Sequence, residues 1–394
     1  MRPHTVWCVY GTRPEVIKMA PVVWALRARA ETVAVRLVFT GQHRELARDL
    51  FAPLAMEPDL ALDVMSENQT LTAVGARCLE AVGNALAQDA PALVLVQGDT
   101  SSVLFSALAT YFHKVPIGHV EAGLRSFNKY APFPEEAMRR LTDAVADLHF
   151  AATARAAANL RAEGVNSKTI FVTGNTVIDA VRQTAAVSAR EASAHVRAWA
   201  GAGQPYVVTT LHRRESLGAD LQRIVAGLAA FARTNPEVQT ILPVHPNPNV
   251  RGPVTRVLSG LPNVRLVDPL PYVDMVYLLA HCTVILTDSG GIQEEATALR
   301  KRVLVARRVT ERPEAVEAGF ARLVGADEIE IARALREELA GASAGELANG
   351  SCPYGDGRAG ERIADIVAHM ISGRPRVTED WAGHRFVACP VPAS

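Results

Sequence analysis

An excess of charge of either sign is missing from this chain: 41 Lys and Arg stand against 41 Asp and Glu, a formal net charge of +0 over 394 residues. Neither a nucleic acid nor an anionic membrane is therefore expected as a main partner, and any basic feature has to be local. Paired cysteine spacing is missing too. The 5 cysteines, Cys8, Cys78, Cys282, Cys352 and Cys389, are scattered, and Cys8 and Cys282 lie in or beside strand-like apolar runs, as buried thiols of a reducing compartment do. No apolar run reaches membrane-spanning length, a strand pattern that begins by Thr5 leaves no room for a secretion signal, and the sequons at Asn68 and Asn349 are read as chance. A soluble, cytoplasmic protein is expected. Low-complexity tracts, solenoid-period repeats and ligand clusters with metal spacing are also absent, so no metal and no other cofactor is expected.

What is present is length and apolar content: 394 residues, 49% of them hydrophobic, are enough to fill two cores. Strand-like runs at 5–10, 34–40, 60–64, 92–97, 116–121, 148–151 and 169–173 alternate with helical runs at 14–29, 71–86, 101–114, after Glu135 and at 153–163. The pattern restarts with strands at 206–211, 239–243, 264–267, 284–287, 303–305 and 321–324, and with helices at 217–232, 272–279, 331–339 and 360–370. Strands separated by helices of this length predict parallel βαβ units and two doubly wound, Rossmann-like α/β sheets facing across a cleft. The expected domains are 1–175 and 176–359, with a helix over 360–372 returning to the first. A plausible hinge lies at 201–205, and the tail, 373–394, shows no clear periodicity.

The stretch Val284-Ile285-Leu286-Thr287-Asp288-Ser289-Gly290-Gly291 reads as strand, tight turn and helix start. Backbone N–H groups at a helix start lack intrahelical partners, and glycine lets a phosphate approach them. Glu295, one to two turns further on, is placed to hold a ribose. In open parallel sheets ligands bind beyond the carboxyl ends of the strands. Those positions carry Gly11-Thr12-Arg13-Pro14-Glu15 with Lys18, then Gly98-Asp99-Thr100, then Glu121-Ala122-Gly123-Leu124-Arg125, then Pro132-Phe133-Pro134-Glu135-Glu136. In the second half they carry His212-Arg213-Arg214-Glu215 and His245-Pro246-Asn247. Asp99, Glu121 and Glu135 thus gather at one rim, with Arg13, Lys18 and Arg312 to neutralise a diphosphate.

One chemistry fits that set. The C2 hydrogen of a nucleotide-linked aldose is not acidified by a carbonyl, so direct proton removal is too slow; if the diphosphate at C1 leaves first, positive charge develops at C1 and the C2 proton becomes removable. A base, an acid, a carboxylate beside the oxocarbenium-like centre and cations on the leaving group are then needed. Each residue also has a structural alternative. Asp99 is placed to cap the helix from Ser101, and Glu135 and Glu136 suit a helix first turn. Glu121 suits an ion pair with Arg125, and Ser289-Gly290-Gly291 is equally a plain cap.

Taken together, these motifs resemble the non-hydrolysing bacterial UDP-N-acetylglucosamine 2-epimerases, over about residues 5 to 372. The resemblance rests on the segments above and on Gln42-His43-Arg44-Glu45, Gly174-Asn175-Thr176, Thr310-Glu311-Arg312-Pro313-Glu314 and Pro353-Tyr354-Gly355-Asp356-Gly357. It implies a two-domain glycosyltransferase-B-like fold, a UDP-sugar substrate and a homodimer. It implies that Asp99, Glu121 and Glu135 are catalytic with His212. Arg13, Lys18, Arg139, His245, Ser289, Gly290, Gly291 and Arg312 are implied to bind substrate, most of them at the phosphates, and Glu295 the ribose. The uracil would lie near Leu270 and Met275, which stand where Gln and Phe are usual, with Tyr272 as an aromatic face; Met138 stands where Asn is usual. A second, activating substrate site would use Gln42, Arg213 and His245, but Asn68 replaces its usual Arg, so weak or absent activation is expected. A hydrolysing epimerase, and a glycosyltransferase or nucleotide-sugar sensor of the same fold, are the alternatives.

Overall fold

The computed structural model describes the chain except for residues 1–2, 43, 67–68, 201–203, 214–215, 342–351 and 384–394, and except for the side chains of 44–46. The expected hinge therefore lies largely outside the described residues. Two compact units result: one of Met1–Ala180 with Tyr354–Ser394, the other of Val181–Pro353.

In the first unit the order is β1 (His4–Tyr10), α1 (Arg13–Arg27), β2 (Val33–Phe39), α2 (Arg44–Leu54), β3 (Leu60–Ala61), α3 (Leu71–Gln88), β4 (Leu93–Gln97) and α4 (Ser101–Phe112). It continues with β5 (Ile117–Ala122), α5 (Glu135–Val145), β6 (Leu148–Ala151), α6 (Ala154–Ala162), β7 (Ile170–Val172) and the start of α7 (Thr176–Glu191). The strands are parallel, in the order β3-β2-β1-β4-β5-β6-β7. All five residues of β4 and all six of β5 are buried, as strands covered by helices on both faces must be. The chain order reverses between β1 and β4, which puts the loops after those strands where a ligand is expected.

The second unit holds α8 (Ala194–Ala200), β8 (Tyr206–Thr210), α9 (Ala219–Thr234), β9 (Gln239–Pro243), α10 (Pro248–Leu258), β10 (Val264–Val267) and α11 (Tyr272–His281). It ends with β11 (Val284–Thr287), α12 (Gly290–Ala298), β12 (Arg302–Val305), α13 (Pro313–Glu317), β13 (Ala321–Leu323) and α14 (Glu328–Ala340). Its parallel sheet runs β10-β9-β8-β11-β12-β13, so the reversal falls between β8 and β11. Ile224, Leu228 and Phe231 of α9 pack on the core with Ile331 and Leu335 of α14.

Cys8, Cys78, Cys282 and Cys352 are buried free thiols, and burial pushes Cys8 and Cys282 up to about 12. Cys389 lies outside the described residues. Among those residues no helix is long and apolar enough to cross a membrane.

The last helix, α15 (Ala359–Ser372), packs on α1, where the Cα of Gly360 comes so close to the Pro21 carbonyl that a Cβ there would stand 2.5 Å from its oxygen. Beyond it the described part of the aperiodic tail, residues 373–383, is docked. The carboxylate of Asp365 accepts from Val377 N (2.9 Å), Thr378 N (2.7 Å) and the Thr378 hydroxyl (2.8 Å). Trp381 N donates to the Val172 carbonyl (2.7 Å) and Val172 N to Asp380 (2.9 Å), so the tail covers the outer edge of β7. Burial pushes Asp365 up, but the bonds from Thr378 and Val377 outweigh it and hold the carboxyl below the usual range. Its stabilising effect is then present above the ordinary aspartate pKa and is lost as pH falls through the lowered value. Asp365→Ala is expected to cost about 2 kcal/mol in denaturant unfolding at neutral pH, with the difference shrinking on acidification. A variant as stable as the parent would mean that the tail rests on the edge without holding it.

Candidate active site

In the first unit the loops after β1, β4 and β5 are tied together by buried carboxylates. Glu15, one turn into α1, turns back to accept from Gly11 N (2.6 Å) and Thr12 N (3.3 Å) and from the Thr100 hydroxyl (2.6 Å). Burial pushes its pKa up, against those bonds. It thereby fixes the turn after β1 against the residue that follows Asp99. Gln42 does the same from the β2 side, its amide oxygen accepting from Ser102 N (3.0 Å) and the Ser102 hydroxyl (2.7 Å). Asn68, which bears on the expected activation, lies outside the described residues.

Glu121, the penultimate residue of β5, has φ 70, a left-handed conformation unusual for a residue other than glycine, where the β5–β6 register shifts between Val120 and Ala122. Such strain marks a residue aimed by its surroundings. The Lys18 ammonium stands 2.5 Å from Glu121 Oε2, and Gln97 Nε2 donates to the same oxygen at 2.8 Å. The structural alternative for Glu121 is an ion pair with Arg125; Arg125 instead binds Asp143 (2.7 Å) and Glu163 (2.7 Å). The reason is position: Lys18 on α1 lies over the end of the sheet, whereas Arg125 turns toward α5 and α6.

Asp99 follows β4, the strand beside β5, and accepts from Nε (3.0 Å) and Nη2 of Arg139. Arg139 also donates Nη1 to Glu136 at 2.8 Å. Glu136 is fully buried and accepts from Ser126 N (2.9 Å) and Phe127 N (3.2 Å), so of the two adjacent glutamates it is the one that shapes the loop. Glu135, the first residue of α5, stays half-buried. Arg13 reaches outward to Asp49 on α2 at 3.0 Å. Met138 is buried, with Ser101 donating toward its sulfur at 3.9 Å.

In the second unit Asp288 follows β11, fully buried, and accepts from His212 N (3.1 Å) and Arg213 N (3.0 Å), which sets the loop after β8 beside the start of α12. Ser289 caps that helix with a long 3.5 Å bond from Ile292 N, and Gly290 and Gly291 follow. A Cβ on Gly290 would stand 3.0 Å from Glu311 and 3.2 Å from Arg213, so glycine leaves room there for those two groups. Glu311 is bridged by Arg213 (2.7 Å) and Arg307 (2.7 Å). Burial pushes its carboxyl up, but Arg312, Arg213 and Arg307 outweigh that and hold it at about 2. Arg312 is buried against Glu294.

Of two consecutive residues of α12, Glu294 is buried and Glu295 stays half-buried. The exposed ring of His212 lies 6.2 Å from that of His245. His245 Nδ1 accepts from Asn247 N (3.2 Å), and burial and His212 lower its pKa, so it is neutral with its proton on Nε2. Leu270 and Met275 are half-buried, whereas Tyr272, read as an aromatic face for a base, is 6% exposed and belongs to the core of α11. Among the described residues no group of His, Cys, Asp and Glu is arranged to hold a metal ion.

Carboxylates held at adjoining strand ends in one unit, and a glycine-opened helix start flanked by arginines in the other, are the layout of an α/β enzyme acting on an anionic substrate. A model of the UDP-N-acetylglucosamine 2-epimerase family matches residues 25–368. The UDP-N-acetylglucosamine 2-epimerase of Yersinia pestis is 45% identical over 364 residues, 91% of this chain and 96% of the relative. The structure of UDP-GlcNAc 2-epimerase from Neisseria meningitidis bound to UDP-GlcNAc is similar with a TM-score of 0.86 and 37% identity, covering 92% of this chain and 99% of that one. The Methanocaldococcus jannaschii enzyme in complex with UDP-GlcNAc and UDP has a TM-score of 0.82 and 32% identity, over 93% and 99% of the two chains. The chain belongs to the UDP-N-acetylglucosamine 2-epimerase family, and it is an epimerase.

Proposed function

We propose that this epimerase interconverts UDP-N-acetylglucosamine and UDP-N-acetylmannosamine without net hydrolysis. A base takes the C2 proton while the C1–O bond to the diphosphate breaks, UDP leaves with the bonding electrons, and a C1–C2 double bond remains as 2-acetamidoglucal. A proton returns to the other face of C2, and a UDP oxygen re-adds at C1. Asp99, Glu121 and Glu135 supply the proton transfers and the charge beside C1, and His212 acts at the departing diphosphate. Ser289, Gly290, Gly291 and Arg312 hold the phosphates, joined by Arg13 and Lys18, and Glu295 holds the ribose. Backbone groups near Leu270 and Met275 read the base.

The observation that carries this reading is the pair of differently held carboxylates at adjoining strand ends, Asp99 on Arg139 and Glu121 on Lys18. Acid and base on opposite faces of one carbon need two such groups in unlike settings. The ligands of the Neisseria and Methanocaldococcus relatives support the substrate. The test is incubation with UDP-N-acetylglucosamine in deuterium oxide, followed by NMR. Deuterium at C2 of both epimers, with little free UDP, is expected. Accumulating UDP and free N-acetylmannosamine would make the enzyme hydrolysing, and epimers without deuterium would end the elimination scheme.

A further inference from the structure

Behind Glu121 lies a buried ionic cluster that the reaction scheme does not use. Asp143 on α5 accepts from His119 Nδ1 (2.6 Å), from Arg125 Nη2 (2.7 Å) and from Gly123 N (3.3 Å). One carboxylate thus grips the chain two residues before and two residues after Glu121. The other ring nitrogen, His119 Nε2, lies 2.8 Å from the carbonyl oxygen of Gly98, the residue before Asp99. Gly98 N donates to the Val120 carbonyl (3.1 Å), which closes the loop of contacts. A carbonyl only accepts and an ionised carboxylate only accepts, so both ring nitrogens of His119 donate and the ring is an imidazolium.

The charges around it fit. His119 is fully buried, which opposes its charge, yet the Asp143 carboxylate outweighs that and raises its pKa above the ordinary histidine value. Asp143 is held below its own range by His119 and Arg125 in spite of burial. The neighbouring His149 on β6 donates Nε2 to the Asp143 backbone carbonyl (2.9 Å), and burial lowers its pKa, so it adds no second positive charge.

We infer that the His119 imidazolium and Asp143 form a clamp that sets the Asp99 loop against Glu121 and holds Glu121 in its left-handed conformation. This rests on the proposed roles of Asp99 and Glu121. Both clamp members are positioning residues, acting through backbone they hold, and the effect belongs to turnover and not to nucleotide binding, since the nucleotide-binding groups proposed above lie mainly in the second unit.

The test uses the full chain with His119→Asn, which keeps a donor for Asp143 but is too short for Gly98, and His119→Gln, which has the opposite reach. Each is expected to lower the rate of C2 deuterium exchange about 30- to 100-fold with KM and UDP affinity within about threefold, since a misplacement near 1 Å costs up to about 10²-fold. In the unmodified enzyme, nitrogen-15 NMR at about pH 8 is expected to show protons on both ring nitrogens of His119, above the range where an ordinary histidine keeps them. A single ring proton, or wild-type exchange rates in both variants, overturns the clamp. Asp99→Asn and Glu121→Gln serve as the reference: normal exchange in those two would remove the proposed roles themselves, whereas a fall in them with intact His119 variants would remove the clamp alone.

Discussion

Glu121→Gln is expected to lower turnover by about 10³-fold, measured as C2 deuterium exchange, with UDP affinity within about twofold. The argument starts from the shape of the group. Glutamine is nearly isosteric, so the strained backbone at φ 70 and the neighbours Lys18 and Gln97 can stay in place. What disappears is the negative charge and the ability to take a proton, which is the part general acid–base catalysis uses, typically about 10² to 10⁴ in rate. The same change leaves the buried ammonium of Lys18 without the Glu121 carboxylate, and breaking one side of a buried pair costs about 3 to 5 kcal/mol. Lys18→Met with Glu121→Gln should therefore recover much of the lost stability without recovering turnover. If instead the single variant turned over within threefold of the parent, Glu121 would be a structural anchor for Lys18 and the chemistry would have to be moved to Asp99 and Glu135.

The sheets were legible because strands buried on both faces are short runs of β-branched and aliphatic residues, and β4, Leu93–Gln97, is such a run. Two helices were not legible. Both α2 and α10 carry an internal proline, Pro53 and Pro253, which reads as a helix stop, and α10 starts within Asn247-Pro248, a pair that reads as a turn. Tertiary packing sets the outcome in both: Leu50 and Leu54 of α2, and Val250, Val254 and Leu258 of α10, are buried along one face. The short α13 was missed as well. The tail shows no period, and its described residues, 373–383, are held by Asp365 and by the β7 edge, neither of which leaves a period in the tail's own residues.

For the site, position was legible and partnership was not. A parallel sheet puts ligand-facing residues after its strands, so Asp99, Glu121 and His212 could be found by counting strand ends. Which cation meets which carboxylate depends on packing between distant elements. Lys18 and Glu121 are 103 residues apart, and nothing local favours that pair over Glu121 with Arg125. The division of labour between Glu135 and Glu136, or between Glu294 and Glu295, depends on the phase of a helix whose start has to be known to the residue. His119, Asp143 and Glu15 were passed over because a buried charge surrounded by its partners has no signature in sequence. One clue was present: His119, Glu121 and Gly123 alternate along one short stretch, a pattern a plain buried strand does not need.

Gly123→Ala is the substitution expected to damage the fold most. Gly123 has φ 84, where an L side chain costs about 1 to 2 kcal/mol. A Cβ there would also stand 2.3 Å from the Ala156 carbonyl oxygen and 2.8 Å from its carbon. Those atoms are helix backbone in α6, held by the helix's own hydrogen bonds, so they cannot swing aside as a side-chain tip would. Overpacking of that kind adds about 1 to 3 kcal/mol. The sum, about 2 to 5 kcal/mol, is a large part of the roughly 5 to 15 kcal/mol that holds a domain folded, and corresponds to a melting temperature lower by about 10 °C. Gly164 supplies the comparison, because it has φ 88 and nothing within 4 Å of its would-be Cβ. Gly164→Ala should show the backbone strain alone, about 1 kcal/mol. The difference between the two denaturation midpoints isolates the contact with α6. If the two substitutions cost the same, the close approach of the β5 loop to α6 is not what fixes Gly123. In whatever fraction of Gly123→Ala folds, activity should fall further than the folded population does, since Gly123 N is one of the three grips, with His119 and Arg125, that Asp143 has around the turn that aims Glu121.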